Sequence, residues 1–236
     1  MAGPDGLDHY AVPVPIPDVS DLGAPAGLRV AWCSGGPFSP VDPEVQTTVA
    51  RAATSLAELG CQVEEVSLDS WENHSAQNIS AALFTAEGAQ YLAPIIAGRE
   101  DELAPPMQRR LKYAMPSMDE YLEAVEQCEA LRQDVAEMFT KFDVLLCPVG
   151  PVPAHPHDSI ELDINGQKVP GRNALRATVP FDLTGSPALS VPFGWSSDGL
   201  PIGVQLVGRH FEEATILRAG AALEELHLAH RRRPPV

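Results

Sequence analysis

Three features of the sequence predict an α/β fold. A short apolar run, a capped amphipathic helix and a second apolar run follow one another within residues 28–66. A long capped helix over 117–142 leads straight into an unbroken apolar segment at 143–147, and two more apolar runs precede an amphipathic C-terminal stretch. Strands alternating with helices in this way bury their apolar faces by layering helices on a sheet.

Residues 1–26 carry Pro4, Pro13, Pro15, Pro17 and Pro25 and show no periodicity. Proline fixes φ and removes a donor, so an extended lead-in is expected there, with the folded portion spanning 27–236. Residues 28–33 read as a strand that ends in the Ser34-Gly35-Gly36-Pro37 turn. Asp42 is placed to cap a helix with Pro43 at its first position; Val45, Val49, Ala53, Leu56 and Leu59 recur at helical spacing, and Gly60 stops it. Residues 61–66 form the second strand. Together these make a βαβ unit, whose strands should be parallel.

Residues 70–114 read as helical but interrupted, with Pro94, Gly98, Pro105 and Pro106 as breaks. Ser117 and Glu120 have capping-box spacing and open a helix with Tyr121, Val125, Cys128, Leu131, Val135, Met138 and Phe142 on one face. The strand at 143–147 has the continuous apolar character of one buried on both faces. Residues 148–175, with many prolines, are expected to form a long loop. Strands at 188–193 and 202–207 flank a turn at Asp198-Gly199, and residues 212–228 form the last helix.

With 16 basic and 32 acidic residues, the formal charge is −16. A surface this acidic repels phosphate backbones, which excludes nucleic acid as the expected partner. The basic run Arg231-Arg232-Arg233 precedes two prolines and reads as a solvated tail. Cys33, Cys61, Cys128 and Cys147 are widely separated in apolar stretches, the pattern of reduced, buried thiols in a cytoplasmic protein. No signal-like N-terminal segment and no apolar run of membrane-spanning length is present.

Several residue groups invite a chemical reading. The Ser34-Gly35-Gly36 turn lies between strand and helix, but it lacks phosphate-loop spacing and reads as a plain turn. His155, His157 and Asp158 lie close together, yet no third ligand is identifiable and Pro156 separates the histidines, so no metal is assigned. Acyl transfer needs a nucleophile, a base and an oxyanion hole. No G-x-S-x-G elbow exists, and Lys112, Lys141 and Lys168 lie outside apolar runs that would depress a lysine pKa. Ser196 and Ser197 read as solvated turn residues. Asp182, Thr184 and Gln205, beside or within the late strands, are not explained by core packing alone.

The stretch Phe181-Asp182-Leu183-Thr184-Gly185-Ser186-Pro187-Ala188-Leu189-Ser190-Val191-Pro192, resuming at Asp198-Gly199-Leu200-Pro201-Ile202-Gly203-Val204-Gln205-Leu206-Val207-Gly208, resembles the C-terminal block of amidase-signature enzymes. Gly27-Leu28-Arg29-Val30, Val41-Asp42-Pro43-Glu44-Val45 and Phe142-Asp143-Val144-Leu145-Leu146-Cys147-Pro148 agree in order, so the resemblance covers nearly the whole chain. It implies the C-terminal part of that family's mixed sheet flanked by helices, and a cofactor-free hydrolase of amide C–N bonds, sometimes of esters. Family members use a lysine and two serines, in and around a glycine- and serine-rich run that this sequence lacks, so no catalytic residue is carried over. Phe181, Asp182, Thr184 and Gly185 are the expected substrate-binding wall, Asp182 standing where many members have asparagine. A small-molecule amide is the expected substrate once the missing half is supplied, and the chain alone is expected to be inactive. A non-catalytic subunit or binding module that pairs with a separate catalytic half is the alternative.

Overall fold

The computed structural model describes residues 4, 6–14, 18, 19, 21–157 and 159–226. Seven strands and seven α-helices are distributed along them. The first strand, β1 (Arg29–Trp32), is followed by α1 (Pro43–Glu58) and β2 (Gln62–Glu65). The Asp42 side chain accepts from the Glu44 N–H at 2.8 Å, with Pro43 occupying a position where its missing donor costs nothing. β1 and β2 pair in parallel, as the βαβ reading requires.

Next come α2 (Asp69–Glu72), α3 (Ala76–Ile96) and α4 (Pro105–Arg110). Pro94 does not break α3; it lies in the final turn, where the helix ends at Ala97 before Gly98 takes φ +76°. Near an end, the lost amide bond and ring clash disturb little downstream helix. α5 (Met118–Lys141) opens on a complete capping box: Ser117 N–H donates to Glu120 Oε2 at 2.7 Å, and Glu120 N–H to Ser117 Oγ at 3.2 Å. Its buried stripe runs Ala124, Cys128, Leu131, Val135, Met138, Phe139.

β3 (Val144–Pro148) is buried at every residue and is the central strand. It runs parallel to β1 and antiparallel to β7 (Pro201–Gly208), which in turn pairs antiparallel with β6 (Ala188–Trp195). The order β2-β1-β3-β7-β6 is a mixed sheet. Period-2 alternation sends Val144 and Leu146 towards α1 and α7 (Glu213–Leu226), and Leu145 and Cys147 towards α5. The result is a helix–sheet–helix sandwich with a core on each face of β3.

The expected loop at 148–175 is not wholly irregular. It contains a two-stranded hairpin of β4 (Glu161–Ile164) and β5 (Gln167–Pro170), with Leu162, Ile164 and Val169 buried in a small core of their own. Asn165 (φ +51°) and Gly166 (φ +81°) form its turn, a residue pair suited to left-handed backbone. A short helix, α6 (Val179–Thr184), precedes β6 where the sequence suggested only a turn. The Arg231 run and the end of the last predicted helix lie outside the described residues. Among those described, no helix is long and apolar enough to cross a membrane.

At the base of the sheet, the Asp143 carboxylate accepts from Arg29 Nη2 at 2.7 Å, Arg29 Nε at 3.1 Å and Arg209 Nη2 at 2.9 Å. It also accepts from the Arg29 backbone N–H at 2.9 Å. The starts of β1 and β3 and the end of β7 are thereby clasped together. The Arg29 guanidinium, aided by its backbone amide and by Arg209, holds the Asp143 carboxyl down at about 2.

Candidate functional site

α6 and its flanks bring the predicted residues together in part. α6 ends at Gly185, whose left-handed backbone (φ +68°) turns the chain into β6 with no Cβ penalty. Thr184 is buried and its Oγ1 lies 2.9 Å from Ser186 Oγ. Asp182 is exposed at the helix surface. These three positions share an open cleft of about 880 Å³ with Val135, Ala136 and Phe139 of α5. Phe181 lies behind them in the core, against Trp71 and Phe38 at ring-centroid separations of 6.2 and 6.4 Å.

Arginine and histidine side chains at the cleft hold α6 in place. The last carbonyls of a helix lack intrahelical partners and carry partial negative charge. Arg132 Nε donates to Leu183 O at 3.0 Å, and His210 Nε2 donates to Thr184 O at 2.9 Å. Arg209 completes the rim while donating to Phe139 O and Phe142 O, each at 2.8 Å. From behind, Gln205 Nε2 donates to Ala177 O at 2.9 Å and approaches Pro148 O and Cys147 Sγ, both at 3.3 Å. Gln205 is thus the buried strut between β7 and the segment leading into α6, which accounts for a polar residue that packing did not explain. Arg132, Phe139 and His210 were missed by sequence reasoning. The signal for the first two was present: Arg132, Val135, Ala136 and Phe139 share one helical face.

The cleft offers an apolar floor and a polar rim, able to hold a ligand that is mainly apolar with a few hydrogen-bonding atoms. It holds no nucleophile–base pair. Lys112, Lys141 and Lys168 are exposed, and no hydrogen bond joins a lysine to a serine among the described residues. Ser196, expected to be solvated, is instead 8% exposed, because its Oγ accepts from the Leu200 N–H at 3.0 Å and closes the β6–β7 turn. Burial pushes the Cys147 thiol up to about 12, and raises Cys33, Cys61 and Cys128 as well; all four are buried free thiols. His155 and His157 are exposed, and Asp158 lies outside the described residues. Among those described, no group of three or more metal-ligating side chains converges.

A family model described as Amidase matches residues 1–217. The chain belongs to the amidase family. A glutamyl-tRNA(Gln) amidotransferase subunit from Moorella thermoacetica is 32% identical over 262 aligned positions, covering 99% of this chain and 52% of that protein. A solved 6-aminohexanoate cyclic dimer hydrolase, in complex with its substrate, is 25% identical with a TM-score of 0.79, covering 98% of this chain and 52% of its own. A bacterial aryl acylamidase of the amidase-signature family shares the fold, at 21% identity and TM-score 0.84, over 100% of this chain and 52% of its own. This amidase-family chain therefore spans about half the length of the curated relatives it matches, and its mixed α/β sheet is the family's.

Proposed function

We propose that this chain is the scaffold and substrate-wall half of an amidase-family hydrolase of amide C–N bonds, and that the nucleophile reaches the site from outside these 236 residues. The observation that carries the reading is that a family member with a complete sheet core has all three lysines exposed and apart from its serines. Amide hydrolysis needs an activated hydroxyl to attack the carbonyl, donors to stabilise the tetrahedral oxyanion, and a proton for the departing amine. The described residues supply none of these as a constellation.

What this chain contributes is position. Val135, Ala136 and Phe139 offer apolar surface to the non-reacting part of an amide, and Asp182, Thr184 and Gly185 form the facing wall. Gln205, Arg132 and His210 fix that wall through the Ala177, Leu183 and Thr184 carbonyls. Holding the non-reacting portion in place lowers the entropic cost of attack. Relatives named as subunits of an amidotransferase support an amide substrate and a protein partner.

The test is direct. The 236-residue chain should show no turnover of aryl anilides or simple aliphatic amides by itself. Turnover should emerge when the half of a relative that this chain does not match is co-expressed with it, and Asp182→Asn should then change KM more than kcat. Turnover by the chain alone would overturn the proposal. A stable complex that binds amides without hydrolysing them would favour the binding-module alternative.

A further inference from the structure

The five-stranded sheet has two edges, and they differ in kind. β2 is four residues long and three of them, Gln62, Glu64 and Glu65, are exposed. A short edge bearing two carboxylates is blunted against further pairing. β6 runs eight residues, Ala188–Trp195, without one charged side chain. It lies at the end of the strand order, with no described strand beyond it.

Register shows which backbone groups face outward. Pro187 O accepts from the Gly208 N–H, and Pro192, which has no N–H, stands opposite Gly203. Antiparallel hydrogen-bonded pairs alternate along a ladder, so residues 187, 189 and 191 turn their backbone polar groups to β7. The N–H and C=O groups of Ala188 and Ser190 point away from it. Side chains show the same asymmetry. Leu189 and Val191 lie under α7, where a Cβ added to Gly220 would come within 2.4 and 3.3 Å of them. Ala188 and Ser190 face the other way and are exposed, although Gln205, beside Ser190 on the same face, is 4% exposed. The layer that covers Gln205 stops short of β6.

We propose that β6, not β2, is the edge at which the sheet continues, and that it receives a β-strand from the remaining half of an amidase-family domain. The proposal rests on the functional reading above. Its occupant follows from length and likeness: 99% of this chain matches only 52% of the Moorella protein, so the rest of such a domain must join this framework somewhere. The long, uncharged edge with outward amides is the place where strand addition costs no charge burial.

Amide hydrogen exchange on the full chain tests this. The probe is the unmatched half of the M. thermoacetica protein, made as a separate polypeptide and mixed with the 236-residue chain. Exchange at Ala188 and Ser190 should slow by about 100-fold or more in the complex, while the amides of β2 change little. Ser190→Lys, which charges an already exposed position, should weaken the complex at least ~10-fold, and Glu64→Lys should not. Protection at β2 instead, a complex with β6 unprotected, self-association through β6, or no complex at all would each overturn the proposal. Restored hydrolysis with β6 unprotected would sink this inference and leave the functional reading standing; protected β6 without hydrolysis would do the reverse.

Discussion

Replacing Asp143 by asparagine is expected to lower stability at neutral pH and to matter progressively less in acid. The carboxylate is 18% exposed and bridges Arg29 and Arg209, which are 40% and 30% exposed. Its folded value is about 2 against an ordinary 3.8, a difference corresponding to ~2.5 kcal/mol at most. Solvent screening of partly exposed arginines trims this to about 1–2 kcal/mol. The sign follows from linkage: a depressed carboxyl stabilises the fold fully above its unfolded value and loses that contribution as pH falls towards the folded one. The contribution is therefore intact at pH 5 and above, about half gone near pH 3, and absent below pH 2. Urea unfolding of wild type and Asp143→Asn at pH 7 and pH 3 reads it directly. The gap in unfolding free energy should shrink by roughly half between the two conditions. An equal gap at both pH values, or none at pH 7, would refute the reasoning.

Three further outcomes are expected. Ser117→Ala removes the side-chain acceptor of the capping box and should cost about 1 kcal/mol in urea unfolding, with partial fraying of the first turn of α5 seen by amide exchange. Gln205→Leu leaves Ala177 O without its buried donor; a loss of about 1–3 kcal/mol is expected, with faster amide exchange over residues 178–186 than elsewhere. Cys147, fully buried with its thiol held at about 12, should be the last of the four cysteines to react with a thiol reagent, and only on unfolding. Labelling of Cys147 at native pH, ahead of Cys61 or Cys128, would contradict the packing of β3.

Much of the framework was legible because local signals and burial agree. Asp42-Pro43 marks the start of α1, Ser117 with Glu120 marks the start of α5, and the unbroken Val144–Cys147 run announces a strand covered on both sides. The hairpin of β4 and β5 was overlooked because its apolar residues are few and its neighbours are prolines, although Asn165-Gly166 is a recognisable turn pair. α6 escaped because six residues with Pro180 inside them carry little periodicity; the helix is held by Gln205, Arg132 and His210, which come from distant points in the chain. The candidate cleft was half visible for the same reason. Its wall lies in one contiguous stretch, whereas its floor on α5 and its rim at Arg209 and His210 are brought there only by the tertiary fold.

The central position of β3 constrains how the protein can be made. β1, α1 and β2 all emerge from the ribosome before Val144, so one flank of β3 can zip up as soon as the strand appears. The other flank waits for β7, whose first residue is Pro201, more than fifty residues later. At translation speeds of roughly 5–20 residues per second, that delay lasts several seconds. During it, an entirely apolar strand is half-zipped, with one side open to neighbouring nascent chains. Chaperone demand during synthesis should therefore peak between the appearance of Pro148 and that of Gly208, rather than at release of the finished polypeptide.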